Sequence, residues 1–159
     1  GKLGGLLKMN AGLKGDEISG ALLGVKLGDR GFVEKCELGF GYRVSLIDDV
    51  VYEAIFEIKE GFSEELVESY KAMRQNQPND PSVGSCFKNP AGDYAGRLLE
   101  AVGLKGYSIG GAAFSEKHAN FLINRGGASF EDAKNLIETA KKRVFEEFGI
   151  GLENEVILV

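Results

Sequence analysis

The order of elements written in the sequence predicts an α+β fold. Three observations carry that reading. Residues 21–59 have the texture of β-strands, and the best amphipathic helix lies far from them at residues 129–148. Elsewhere strands and helices follow one another without the regular alternation of a parallel sheet. A chain of 159 residues has room for one domain, or two small ones, with a real core.

The first twenty residues are rich in glycine, and the apolar pairs between the glycines predict turns joining short buried segments, with backbone amides exposed, rather than a long helix. Leu22-Leu23-Gly24-Val25 runs into Gly28-Asp29-Arg30-Gly31 and then Phe32-Val33-Glu34-Lys35-Cys36, the pattern of two strands about a hairpin turn. Val50 to Ile58 alternates as a half-buried strand does. Ser63 then caps a helix, with Glu64 and Glu65 in its first turn and Leu66, Val67, Tyr70 and Met73 facing inward, ending near Gln77 ahead of Pro78. Residues 78–92 read as a polar loop punctuated by Pro and Gly, the kind of connection on which chemistry sits.

A short helix from Tyr94 to Val102 closes at Gly103, and Tyr107 to Phe114 followed by Asn120 to Asn124 reads as strand, turn, strand. Ser129-Phe130-Glu131-Asp132 opens the last helix as a capping box, with Ala133, Leu136, Ile137, Ala140, Val144 and Phe148 on one stripe before Gly149. Glu153 to Val159 reads as a terminal strand.

Composition excludes several classes of function. The chain is 43% hydrophobic and 27% charged, and no apolar run approaches the ~20 residues a bilayer requires, so no membrane partner is expected. Lys and Arg number 19 against 24 acidic residues, a formal charge of -5, with no basic block to serve as a nucleic-acid footprint. Two cysteines, Cys36 and Cys86, and one histidine supply neither a disulfide framework nor a zinc cluster, so no metal is expected and the cysteines read as core or strand packing in a reducing compartment. The sequence opens on Gly1 rather than Met, inside what reads as a loop, and a fragment of a longer chain is expected.

Few groups are candidates for chemistry. Ser85 follows Gly84 and precedes Lys88-Asn89, so a turn there presents a hydroxyl beside a cation and an amide; a turn serine bonding its own backbone is the alternative. Arg43 stands in Gly39-Phe40-Gly41-Tyr42-Arg43, where glycines and aromatics can hold a guanidinium against a carboxylate or phosphate, or merely expose it on a strand. His118 is a candidate acid, base or ligand donor, or else a solvated loop residue. Glu155 and Glu153 share a strand face and read equally as surface carboxylates. The glycine-rich opening can cradle a phosphate with successive amides, although it spells neither a P-loop nor a Rossmann fingerprint.

Seven strings, in order along essentially the whole chain, resemble UDP-N-acetylenolpyruvoylglucosamine reductases, the MurB family. They are Gly1-Lys2-Leu3-Gly4-Gly5 with Met9-Asn10-Ala11-Gly12, then Leu38-Gly39-Phe40-Gly41-Tyr42-Arg43-Val44-Ser45, and Gly84-Ser85-Cys86-Phe87-Lys88-Asn89-Pro90. Gly103-Leu104-Lys105-Gly106, Gly110-Gly111-Ala112, Ser115-Glu116-Lys117-His118-Ala119-Asn120-Phe121 and Leu152-Glu153-Asn154-Glu155-Val156 complete the series. The resemblance implies a bacterial cytoplasmic flavoenzyme of peptidoglycan precursor synthesis. By that resemblance NADPH is expected to reduce FAD, and the flavin to reduce the enolpyruvyl group of UDP-N-acetylglucosamine enolpyruvate to give UDP-N-acetylmuramate.

By the same resemblance Ser85 is the proton donor, with Arg43 and Glu155 as catalytic partners. Tyr42, Asn89 and His118 fall near substrate, and Gly4, Gly5, Asn10, Gly12 and Arg74 at flavin-contacting positions. It further implies residues 1–77 as the remainder of a vanillyl-alcohol-oxidase-like FAD-binding domain and 78–159 as the C-terminal substrate-binding domain. The short spacing between Arg43 and Ser85 resembles the shorter type, without the inserted substrate-covering segment. Because the family's first domain and its other glycine-rich flavin loop are missing, the isolated chain is expected to be inactive. Asn154 stands where that string commonly has proline, and Cys86 at a position often held by another residue. A non-catalytic UDP-sugar-binding module of the same fold is the alternative function.

Overall fold

The computed structural model describes residues 2–13, 15–58, 60–61 and 63–158, and the chain divides into two compact units, Gly1–Phe62 and Ser63–Val159. In the first, helix α1 (Leu3–Lys8) leads to a small antiparallel pair, β1 (Gly12–Leu13) and β2 (Asp16–Glu17). A three-stranded antiparallel sheet follows, built from β3 (Leu22–Leu27), β4 (Gly31–Glu34) and β5 (Val51–Phe56) in the order β4-β3-β5. The glycine-rich opening is thus partly helical. The Gly5 and Leu6 amides close on the Lys2 carbonyl at 3.1 and 3.3 Å, where the sequence predicted exposed turn amides; Gly1 lies outside the described residues.

The hairpin of β3 and β4 forms where its turn residues predicted, with Leu27 opposite Gly31 and Gly31 at φ 71°. Strict alternation would put Leu22 and Val25 on opposite faces, yet both are buried with Leu27 and Val33. A register shift against β5 between Leu22 and Gly24 reconciles them. A Cβ at Gly24 would stand 2.4 Å from Phe32 Cζ, so the shifted strand needs glycine there. Cys36 falls after β4, exposed in a short 3-10 turn (Lys35–Glu37), and not in strand packing as expected.

The second unit begins with α2 (Glu64–Arg74), whose predicted cap forms: Ser63 Oγ accepts the Leu66 amide at 3.2 Å. Its predicted inward face is only partly covered: Val67 and Tyr70 are half-buried, whereas Leu66 and Met73 are about half exposed, because a helical period fixes a stripe and not a partner for it. Strands β6 (Ser82–Ser85), β7 (Ser108–Ile109), β8 (Ala112–Phe114) and β9 (Phe121–Asn124) form an antiparallel sheet in the order β6-β9-β8-β7, with α3 (Ala95–Ala101) between β6 and β7 and α4 (Phe130–Phe148) after β9.

Three expectations are corrected here. Residues 82–85, read as loop, are a strand. The single strand predicted over residues 107–114 is a hairpin broken at Gly110-Gly111, where a Cβ on Gly110 would meet the Asp132 carboxylate at 2.4 Å. The predicted terminal strand reduces to one bridge, Asn154 with Phe87, followed by exposed Ile157; Val159 lies outside the described residues.

Helix α4 behaves as its sequence dictates. Ser129 Oγ accepts the Asp132 amide at 3.1 Å while the Asp132 carboxylate accepts the Ser129 amide at 2.9 Å, and Gly149 ends the helix at φ 68°. Leu136, Ile137, Ala140 and Val144 are buried against Leu98, Leu99, Leu104, Phe87 and Phe114, with Ala133 partly buried beside them. Phe148 lies outside this core, 37% exposed, with the Arg97 guanidinium over its ring at 5.6 Å.

Candidate functional site

In the second unit a cleft of about 480 Å³ is lined by Ser85, Asn89 and His118 together with Arg97, Lys117 and Asn120. Ser85 is the last residue of β6, opposite Phe121 of β9, and the strand reaches that position through a register shift with Gly84 at φ 84°. Ser82 prepares the shift: its Oγ donates to the Leu122 carbonyl and accepts the Gly84 amide, both at 3.0 Å. Ser85 is half-buried; Cys86 and Phe87 turn into the core.

The chain beyond Ser85 is gripped from two sides. On one, Asn120 takes the Cys86 amide on its main-chain carbonyl at 2.7 Å and pairs its carboxamide with Phe87. On the other, residues 153–156 lie along it: Glu155 N donates to the Cys86 carbonyl and Lys88 N to the Glu153 carbonyl, both at 2.9 Å. This backbone pairing sets half-buried Glu155 beside the residue that follows Ser85. The two glutamates of the string separate in role, since exposed Glu153 is ion-paired to Lys88 at 2.5 Å.

Asn89 is exposed, and its Oδ1 accepts the Ala95 amide at 3.0 Å, capping the first turn of α3. His118 is half-buried rather than solvated, its ring set edge-on against Phe121 at 5.0 Å. A Cβ on Gly96 would come within 3.1 Å of its Cε1, so α3 needs a glycine where it faces the ring. Burial holds the imidazole below its ordinary pKa, with Lys105 adding to the effect, while a hydrogen bond from the charged ring to the His118 main-chain carbonyl and the nearby Glu100 oppose it. At neutral pH the ring is an uncharged donor and acceptor. Arg97 is held by both oxygens of Asp93, whose carboxyl its guanidinium keeps down near a pKa of about 2; exposed Lys117 forms no ion pair among the described residues.

In the first unit the structure brings Asn10, Tyr42 and Arg43 together. Arg43 has φ 56°, its guanidinium lies 5.2 Å from the Tyr42 ring centroid, and Nη1 donates to the Asn10 carbonyl at 3.4 Å. Buried Asn10 donates from Nδ2 to the Gly41 carbonyl at 3.0 Å and accepts the Ser19 amide on Oδ1 at 3.3 Å, tying the opening segment to the turn that carries Arg43. Gly4 and Gly5 lie within α1, and Gly5 has open space where a Cβ would stand. Gly12, at φ 148°, lets the β1-β2 pair close, for a Cβ would meet the Asp16 carbonyl at 2.4 Å. Arg74 is the exposed last residue of α2.

Asn120, Arg97 and Lys117 line the cleft without having been singled out from the sequence. The available signal for Asn120 was its place two residues after His118, the reach over which a side chain can bond a backbone amide. Among the described residues no group of three or more His, Cys, Asp or Glu is placed to hold a metal ion, and no helix is long and apolar enough to cross a membrane.

The sequence model for the family described as "UDP-N-acetylenolpyruvoylglucosamine reductase, C-terminal domain" matches residues 76–159. The UDP-N-acetylenolpyruvoylglucosamine reductase of Helicobacter hepaticus is 56% identical over 156 residues, covering 98% of this chain and 59% of its own length. That of Campylobacter jejuni is 54% identical over 159 residues, covering 100% and 61%. The crystal structure of UDP-N-acetylenolpyruvylglucosamine reductase (MurB) from Thermus caldophilus superimposes with a TM-score of 0.84 at 38% identity, over 98% of this chain and 59% of that one. The chain therefore spans about three fifths of the length of the relatives it matches. On the match of its second half to the C-terminal domain and of its whole length to these enzymes, the chain belongs to the UDP-N-acetylenolpyruvoylglucosamine reductase family.

Proposed function

We propose that this chain carries the substrate-reducing chemistry of a UDP-N-acetylenolpyruvoylglucosamine reductase, a cytoplasmic bacterial enzyme of peptidoglycan precursor synthesis that uses FAD and NADPH. Residues 1–77 complete its flavin-binding domain and residues 78–159 form its substrate-binding domain. The observation that carries the reading is the convergence of Ser85, Asn89 and His118 on one polar cleft, with the segment of Glu155 bonded to the residue after Ser85.

Reduction of an unsaturated carboxylate adds hydride at one carbon and leaves enolate-like charge that a proton must quench at the other. Ser85, on a strand end fixed by five backbone or side-chain bonds to Cys86 and Phe87, holds its hydroxyl proton where little reorganisation is needed. Glu155 supports that proton's delivery and Arg43 balances the developing negative charge, its rigid turn favouring a fixed guanidinium. Asn89, His118 and Tyr42 orient the nucleotide sugar by donor contacts and by ring stacking. Bound flavin supplies the hydride.

The residues assigned to the flavin fit a partial site. Gly5 leaves room against the backbone, but both polar atoms of the Asn10 carboxamide are engaged inside the chain, so Asn10 shapes the wall and Arg74 is the charged donor of the set. The test is a chimera with residues 1–159 grafted into the Helicobacter hepaticus relative. With Ser85→Ala, stopped-flow should show flavin reduction by NADPH at a near-normal rate and substrate reduction slowed by at least ~10³-fold. Both half-reactions intact would reject Ser85 as donor.

A further inference from the structure

Of the residues lining the cleft, Asn120 is the one that is buried, 4% exposed. Its Nδ2 donates to the Phe87 carbonyl at 2.8 Å and its Oδ1 accepts the Phe87 amide at 3.0 Å, repeating with a side chain the two-bond pairing of antiparallel strands just where β6 has ended. Its main-chain carbonyl takes the Cys86 amide at 2.7 Å, and its main-chain amide donates to His118 Nδ1 at 3.2 Å. One residue thus joins the segment leaving Ser85, the stretch leading to Asn89, and the imidazole. A ring nitrogen that accepts carries no proton, which leaves the neutral ring protonated on Nε2.

We propose that Asn120 is the positioning residue of this cleft: it holds Ser85 and Asn89 in register with His118 and fixes the imidazole as the tautomer that offers Nε2–H to an acceptor oxygen of the nucleotide sugar. The proposal rests on the functional reading above and deepens it. A carboxamide is required because Phe87 presents both a donor and an acceptor inside the core, and a group that satisfies one alone leaves the other buried without a partner.

Asn120→Asp keeps the shape and removes the donor. At about pH 8 its carboxylate faces the Phe87 carbonyl, whereas at about pH 5 a protonated carboxyl donates again, its pKa raised by burial and by that acceptor. With the whole chain and UDP-N-acetylglucosamine as the probe, the variant should bind about tenfold or more weaker than wild type at the higher pH. It should shift the Ser85 and Asn89 amide resonances there, and recover both properties at the lower pH, each compared with wild type at the same pH. Asn120→Ala should stay weak at both. Wild-type affinity in Asn120→Asp at the higher pH, with only the melting temperature lowered, overturns the proposal. So does a wild-type imidazole protonated on Nδ1 in a long-range 1H–15N spectrum, a measurement that stands even if the variants do not fold. A wild-type chain that shows the Nε2–H form and does not bind the probe defeats the functional reading and upholds the clamp.

Discussion

Ser85 and Cys86 are neighbours set to opposite purposes. The strand end leaves the serine half-buried in the cleft wall and turns the cysteine into the core, where burial pushes the thiol up to about 12 against a weaker pull from Lys141. A protonated, enclosed thiol is inert, so an alkylating reagent should label native protein at exposed Cys36 alone and reach Cys86 only on unfolding. Labelling of Cys86 at the native rate of Cys36 would contradict the burial described. The same shift has a sign in stability. Folded Cys86 keeps its proton longer than the unfolded thiol, so its contribution is complete below 9.0 and is lost as pH rises from there towards about 12. His118 works on the acid side: its depressed folded pKa makes the contribution complete above 6.5 and erodes it as pH falls below that value. An NMR titration of the wild-type ring should find its midpoint below 6.5.

At the scale of elements, the two longest helices differ in what their stripes touch. Leu136 of α4 is fully buried, and Leu136→Ala should cost about 2–5 kcal/mol in a denaturant titration. Leu66 of α2 is 48% exposed, and Leu66→Ala should fall within about 0.5 kcal/mol of wild type. Ser129→Ala removes one half of a capping box and should cost about 1 kcal/mol. Helix α4 and the β3-β4 hairpin were legible in the sequence because their signals are local: a cap, a stripe, a turn. Strand β6 was not, because Ser82-Val83-Gly84-Ser85 becomes a strand only through pairing with β9, some forty positions away, across a register shift. The site divides in the same way. Ser85, Asn89 and His118 could be named from their strings, whereas Asn120 escaped notice because what makes it important is Phe87, thirty-three positions earlier.

For the molecule as a whole, each unit has a core drawn from its own residues: Leu7, Leu22, Val25, Leu27, Val33, Leu38 and Ile47 in the first, and the cluster around Leu98, Leu99, Leu136 and Ile137 in the second. A polypeptide of residues 63–159 made alone should therefore unfold in a single cooperative transition by circular dichroism and retain a protected Cys86; a gradual, non-cooperative loss of signal would show that its core is insufficient. The cleft belongs to that unit, and its ring nitrogens have divided duties before any ligand arrives, one accepting from the backbone and the other bearing hydrogen. Recognition by such a ring near neutrality exchanges no hydrogen ion with solvent. Titration calorimetry of a UDP-sugar in two buffers of unlike ionisation enthalpy should then return the same heat.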